Sequence, residues 1–235
     1  PAQIIAFKRT PNLDDLITTR VAFLTAYEDA GYAQQYRDFV EQVRAAEHRI
    51  AESGKPLRLT EAVAKYLFKL MAYKDEYEVA RLYTNTVFAS KIDGLFEGDY
   101  KIKFHLAPPL FAKKDAHGHL IKQEFGPWMM KAFGVLAKFK GLRGTAFDLF
   151  GYTEERKTER GLIVAYRRTI AALLPKLAPE HLSAVVAIAS IPEEIRGYGH
   201  VKERHLAAAK LKEAMLLASL EAPVITMLSR ASQVA

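Results

Sequence analysis

The chain has no cysteine, a single tryptophan, and no run of about 18 apolar residues of the kind that crosses a bilayer. Without thiolates it offers no disulfide framework, no cysteine-ligated zinc or iron–sulfur centre and no cysteine nucleophile of its own. Its start, Pro1 to Arg9, lacks the basic, apolar, small-residue order of a secretory signal, so the expected address is cytoplasmic. Because it begins on Pro rather than Met, the chain is expected to be a processed product or a cut-out from a longer polypeptide. Neither a Walker pattern nor G-x-G-x-x-G occurs, which removes the glycine spacing that turns backbone N–H groups towards a phosphate. There is no G-x-S-x-G elbow, so an α/β-hydrolase is unsupported. A Gly-Asp-Gly start to a magnesium-diphosphate site is also missing, since Gly98-Asp99 is followed by Tyr100.

What is present suffices for a core. Half of the 235 residues are hydrophobic and 26% are charged. Lys and Arg number 34 against 27 Asp and Glu, a formal net charge of +7. That excess suits an acidic partner such as nucleic acid, an anionic membrane, an acidic protein or a phosphorylated ligand, with a solvated surface as the plainer account.

Apolar spacing indicates mainly helix. Asn12 precedes Leu13, Leu16, Ile17, Leu24 and Tyr27, with Asp14 and Asp15 in the first turn, as an N-cap and a helix dipole require. After Gly31 the stripe resumes as Tyr36, Phe39, Val40, Val43 and Ile50, until Ser53-Gly54-Lys55-Pro56 stops it. A helix from Thr60 is expected to bury Val63, Leu67, Leu70, Met71 and Tyr77. The period then becomes two: Tyr100, Ile102, Phe104 and Leu106 alternate with Lys101, Lys103 and His105, a half-buried strand. After Pro108-Pro109 and a turn-like Asp115 to His119, Leu120 to Phe125 can return as its hairpin partner. Gly126-Pro127 opens the next helix, whose inner edge is expected at Met129, Phe133, Leu136 and Phe139 or Lys140. Thr153 caps a helix through Leu162, Tyr166 and Ile170, Pro179-Glu180 and Pro192-Glu193 each suit a helix start, and Val201 to Leu220 makes the last helix. The expected fold is one mainly α domain over residues 1–235, with a small inserted β-hairpin around 99–125. Its parts are lead-in helices at 13–51, a main body at 57–220 and a loose tail at 221–235.

No residue pattern specifies a catalytic, cofactor or metal site. His117 and His119 flank Gly118 without a patterned carboxylate, a poor metal site, and His200 and His205 lie about 140° apart on a helix. Glu193, Glu194, Arg196, His200, Lys202, Glu203, Arg204 and His205 crowd a stretch broken by Gly197 and Gly199. It reads either as an anion-binding or interface segment or as a glycine turn between helices with charges paired locally. Lys101, Lys103, Lys113 and Lys114 on the hairpin, with Lys131, Lys138, Lys140 and Arg143 beyond it, can form a basic docking patch or simply polar faces. Glu154, Arg156, Lys157, Glu159 and Arg160 look like an exposed helix with intrahelical ion pairs.

Several longer strings are more specific. They are RVAFLTAY at Arg20 to Tyr27, LTEAVAKYLFKLMAYKDEYEVARLY at Leu59 to Tyr83 and FEGDYKIKFHLAPPL at Phe96 to Leu110. EFGPWM at Glu124 to Met129, KGLRGT at Lys140 to Thr145 and PEEIRGYGHVKERH at Pro192 to His205 follow in order. Together, over roughly Leu13 to Leu220, they resemble the C-terminal domain of the long single-chain bacterial indolepyruvate:ferredoxin oxidoreductases, in the 2-oxoacid:ferredoxin oxidoreductase superfamily. The resemblance implies a parent enzyme that oxidatively decarboxylates aryl-pyruvates or related 2-oxo acids on thiamine diphosphate. Its acyl group passes to coenzyme A, and its electrons leave through iron–sulfur clusters to ferredoxin. Thiamine diphosphate, magnesium and the clusters belong to other parts of that polypeptide, so no catalytic, cofactor-binding or metal residue carries over and this chain alone is expected to be inactive. Its implied role is to assemble or cap the catalytic domains of a homo-oligomer, or to dock a partner such as acidic ferredoxin; neither a membrane nor nucleic acid is expected. Contacts for docking or an anion would come from Lys101, Lys103, Lys113, Lys114, Lys131, Arg143, Arg196, His200, Lys202 and Arg204. The alternative is a free-standing basic helical adaptor for nucleic acid or acidic proteins.

Overall fold

A computed structural model describes residues 12–85, 88, 90, 92, 94–95, 98, 101–106, 121 and 123–221. Helix α1 (Leu13–Tyr27) opens at Asn12, whose side chain accepts the Asp15 N–H at 2.8 Å. Asp29 caps α2 (Ala30–His48) in the same way, accepting from Tyr32 at 2.7 Å. The break between the two helices therefore falls at Glu28–Asp29, and Gly31 lies inside α2 instead of separating the stripes. α3 (Arg58–Met71) has no capping side chain at Leu57. Its first N–H groups are served by Glu47, buried on α2, which accepts from Leu59 N at 2.9 Å and from Thr60 N and Oγ1 at 2.7 Å.

α3 ends at Met71, and α4 (Glu76–Thr84) starts afresh on Asp75, whose carboxylate accepts the Glu78 N–H at 2.8 Å. Tyr77, expected on one helix with Leu67 and Leu70, thus sits on a separate helix. Strands β1 (Phe104–Leu106) and β2 (Gln123–Phe125) pair antiparallel, with Phe104 opposite Phe125 and His105 opposite Glu124. Phe104 faces inward while Lys101, Lys103 and His105 are exposed, as the alternation requires. Tyr100, Lys113, Lys114 and the Asp115–His119 turn lie outside the described residues.

α5 (Met129–Leu136) buries Met129 and Phe133 and runs on as a 3-10 turn over Ala137–Leu142. That change of pitch swings Phe139 into solvent, and Lys140 donates to the Ala26 carbonyl at 2.7 Å, so neither residue lines the inner edge. Thr153 caps α6 (Glu154–Leu173), and a 3-10 turn at Pro179–His181 leads into α7 (Leu182–Ser190). Pro192-Glu193 opens only a 3-10 turn, Ile191–Glu194, because Ile195 turns extended immediately after it. α8 (Gly199–Glu221) closes the described chain.

The fold is mainly helical with one small antiparallel hairpin. Its principal core joins Leu24 and Tyr27 of α1, Tyr36 and Val40 of α2, Val63 and Leu67 of α3, Ile170 of α6 and Ile188 of α7. Burying a side chain of this size is worth about 1.5–3 kcal/mol, so this assembly is the main source of stability. Its tyrosine tips are satisfied: Tyr27 donates to the Tyr73 carbonyl, Tyr36 to Ala64 and Tyr166 to Ala189, all within 2.8–2.9 Å. A smaller core joins Ala80 and Tyr83 of α4 to Phe104, Phe125, Met129 and Phe133 of the hairpin and α5. Tyr83 stacks on Phe133 at 5.2 Å and meets Phe104 edge-on at 5.3 Å. Among the described residues, no helix is long and apolar enough to cross a membrane.

Candidate functional site

Two features bring distant charged residues together. The first is centred on Arg143, which follows the 3-10 turn and precedes Gly144, a glycine at φ +70°. Its Nε and Nη2 bind the two Asp75 oxygens at 2.5 and 3.0 Å, and its Nη1 donates to the Tyr27 carbonyl at 2.9 Å. Glu28 lies 3.6 Å away, and the guanidinium sits 3.8 Å over the Tyr27 ring. Burial opposes the charge, but the Asp75 bonds and the surrounding acidic groups outweigh it and hold the arginine pKa above its ordinary value. Arg143, expected in a basic docking patch, is therefore a buried structural ion with its donors committed.

Asp148 reinforces this corner. It is buried, and accepts from Gly144 N at 2.8 Å, Gly151 N at 3.0 Å and Tyr77 Oη at 3.1 Å. The turn so pinned presents Phe147 and Leu149, 75% and 67% exposed, on either side of the buried carboxylate.

The second feature is a cleft of about 580 Å³ between the end of α3, the start of α6 and the Gly197–Gly199 loop. Lys69 on its floor donates to the carbonyls of Pro192, Glu193 and Ile195 at 2.6, 3.2 and 3.0 Å, closing the exposed end of the 3-10 turn. Burial first, then Arg196, lowers its pKa, with Glu193 partly opposing. Arg156 reaches Glu76 at 3.3 Å and Glu159 at 2.5 Å, and Lys202 binds the other Glu159 oxygen at 2.5 Å. Gly197 and Gly199 take φ of +89° and +53°, and a Cβ at Gly197 would lie 2.8 Å from Val201 Cγ1, so the loop needs glycine there.

This cleft gathers Arg196 and Lys202 but not the whole basic stretch. Arg196 is held by the Glu193 carbonyl at 2.9 Å, His205 Nδ1 meets the Arg196 carbonyl at 2.8 Å, and His200 and Arg204 are exposed outside the lining. Lys103 pairs with Glu124 across the hairpin at 2.8 Å, and that contact first of all holds the Glu124 pKa down. Lys101 and Lys131 are exposed beside residues of the smaller core, whereas the 196–204 stretch is flanked by Ile195 and Leu206 of the larger one. The helix start at 154–160 departs from an exposed face: Lys157 pairs with Glu154 in solvent, but Arg156 and Glu159 are buried and bridge to other elements. Their spacing to Leu162 and Tyr166 puts them on the inward stripe, a signal the charges hide.

The chain has no cysteine to ligate an iron–sulfur cluster, and among the described residues no group of three His, Asp or Glu converges on a metal position.

A mainly helical domain with a buried arginine centre and a glycine-edged cleft is thus the class of protein that fold and geometry define. The chain belongs to the family described as "Family of unknown function (DUF6537)", whose model matches residues 13–214. No curated protein and no solved structure matches it.

Proposed function

We propose that the chain is the non-catalytic C-terminal domain of an indolepyruvate:ferredoxin oxidoreductase, and that its task there is to assemble or cap the catalytic domains. The observation that carries this reading is where the recognisable strings meet. Arg143 of KGLRGT binds Asp75 of the Leu59–Tyr83 string and the carbonyl of Tyr27 in RVAFLTAY. Lys69 of the second string closes the turn made by PEEIRG, and Phe104 and Phe125 pair the two hairpin strings. Residues that meet in this way form a framework, which favours an architectural role over a chemical one.

Assembly is favoured over partner docking because several cations that could meet an acidic partner are engaged within the chain, while Phe147 and Leu149 are held out rigidly. The parent enzyme would oxidise an aryl-pyruvate or related 2-oxo acid on thiamine diphosphate with magnesium, form acyl-coenzyme A, and pass electrons through iron–sulfur clusters to ferredoxin. All of that chemistry lies outside this chain. The test is 2-oxo acid oxidation by a polypeptide containing the chain and by the chain alone: turnover by the first and none by the second is expected. A chain that instead binds nucleic acid tightly, with affinity falling steeply as salt rises, is a free-standing adaptor and overturns the assignment.

A further inference from the structure

A second cleft, of about 330 Å³, lies between α6 and the corner joining α1 to α2, lined among others by Glu28, Tyr73, Arg143, Arg160 and Arg167. Residues 160, 163, 164 and 167 of α6 face it, whereas 155, 156, 159 and 162 face the larger cleft, and Tyr73 borders both. The bonding of its arginines is uneven. Arg143 is committed to Asp75 and the Tyr27 carbonyl. Arg160 anchors Nη2 on the Gly151 carbonyl at 2.6 Å and interacts with the Tyr73 hydroxyl, yet its buried Nη1 makes no well-formed hydrogen bond. Arg167 lies 5.2 Å over the Phe39 ring, with no hydrogen bond or ion pair to any described residue.

A guanidinium is a donor only and stays protonated, so a buried N–H without a well-formed hydrogen bond is served better by an anionic acceptor than by a phenol oxygen. Both groups are already held, Arg160 by its carbonyl anchor and Arg167 by its ring, so little freedom is lost when an acceptor arrives. Charge points the same way. Three guanidinium groups stand against Glu28 and Asp75, and both carboxylates lie against Arg143. The Tyr73 hydroxyl, which accepts from Arg160 and is pushed up to about 12 mainly by burial, adds no negative charge.

We propose that this cleft binds the oxyanion group, phosphate or carboxylate, of a small ligand, with Arg160 Nη1 and the Arg167 guanidinium as its donors. The site does not depend on the oxidoreductase assignment. Its test is thermal unfolding of the full chain in rising inorganic phosphate, against chloride at matched ionic strength, with acetate as a second arm. A saturable rise in midpoint is expected. R167Q should weaken the apparent affinity about tenfold or more, as expected for a lost charged hydrogen bond, and R160Q should do the same. R168Q, which removes the same charge from an exposed neighbour on α6, should leave the affinity unchanged. Stabilisation by phosphate alone assigns a phosphoryl ligand, and by acetate as well a carboxylate; either carries the proposal. If R160Q does not fold, R167Q decides. Anions no better than chloride, or R167Q equal to the unsubstituted chain, would overturn it and leave water as the partner of Nη1.

Discussion

Arg143 and Asp75 are 68 residues apart in sequence and form a buried two-point pair, each side chain 3% exposed. Asp75 also starts α4, so one carboxylate both launches a helix and receives the arginine that ties the 3-10 turn to the end of α1. Arg143→Met leaves that carboxylate buried and unpaired, and is expected to cost about 3–5 kcal/mol. Urea unfolding measures it. The double variant R143M/D75N should lose less than the sum of the two single variants, since each single change strands the other partner.

Glu47 performs for α3 what no residue at Leu57 does. Glu47→Ala should cost about 2–3 kcal/mol, because two backbone donors and the Thr60 hydroxyl lose a charged acceptor. Amide exchange at Leu59 and Thr60 should rise well before the rest of α3, whereas uniform loosening of the helix would contradict the capping role.

Stability should fall on the alkaline side. Burial, partly opposed by Arg20, pushes the Tyr36 hydroxyl up to about 12, and Tyr73 is likewise pushed up to about 12. Tyr27 is raised further, and Tyr166 is raised well above its ordinary value, again chiefly by burial. With folded values above the unfolded value near 10, these groups contribute stability that is complete below about pH 10 and is lost as pH rises towards and through the folded values. Tyrosinate absorbance should therefore show an early phase from exposed tyrosines and a late one coincident with loss of helical circular dichroism. A single phase near pH 10 with the helices intact would refute the burial.

Much of the helical framework was legible because its signals are local. Asn12, Thr153 and the stripes of α1 and α2 each state their helix within a turn or two, and the Lys101–Leu106 alternation states its strand. The break at Ala72–Asp75 carries a local signal, Asp75 with Glu78 three residues on, but the apolar stripe continuing to Tyr77 hides it. The site was less readable still. Arg156 and Glu159 look solvated in a charge-rich string, and only their partners Glu76 and Lys202 bury them. Likewise Arg143 reads as one cation among several lysines until the fold surrounds it with Asp75, Tyr27 and Glu28.

The pinned turn yields a sharper expectation. F147S and L149S, alone or together, remove exposed side chains and should shift the chain's own stability by no more than about 0.5 kcal/mol. In the proposed parent enzyme the same changes should alter the oligomeric mass seen by light scattering. Neutralising Lys101, Lys103, Lys113 and Lys114 should leave the KM for ferredoxin and for coenzyme A unchanged; a rise in either would assign that cluster to docking.

The most direct measurement is 2-oxo acid oxidation by the proposed parent enzyme and by a version lacking this region, each with ferredoxin and with a small artificial dye as acceptor, alongside oligomeric mass. An assembly domain predicts that both activities fall together and that the mass changes. Loss of ferredoxin reduction alone would contradict assembly in favour of docking, and full activity without the region would contradict any role for it in the enzyme.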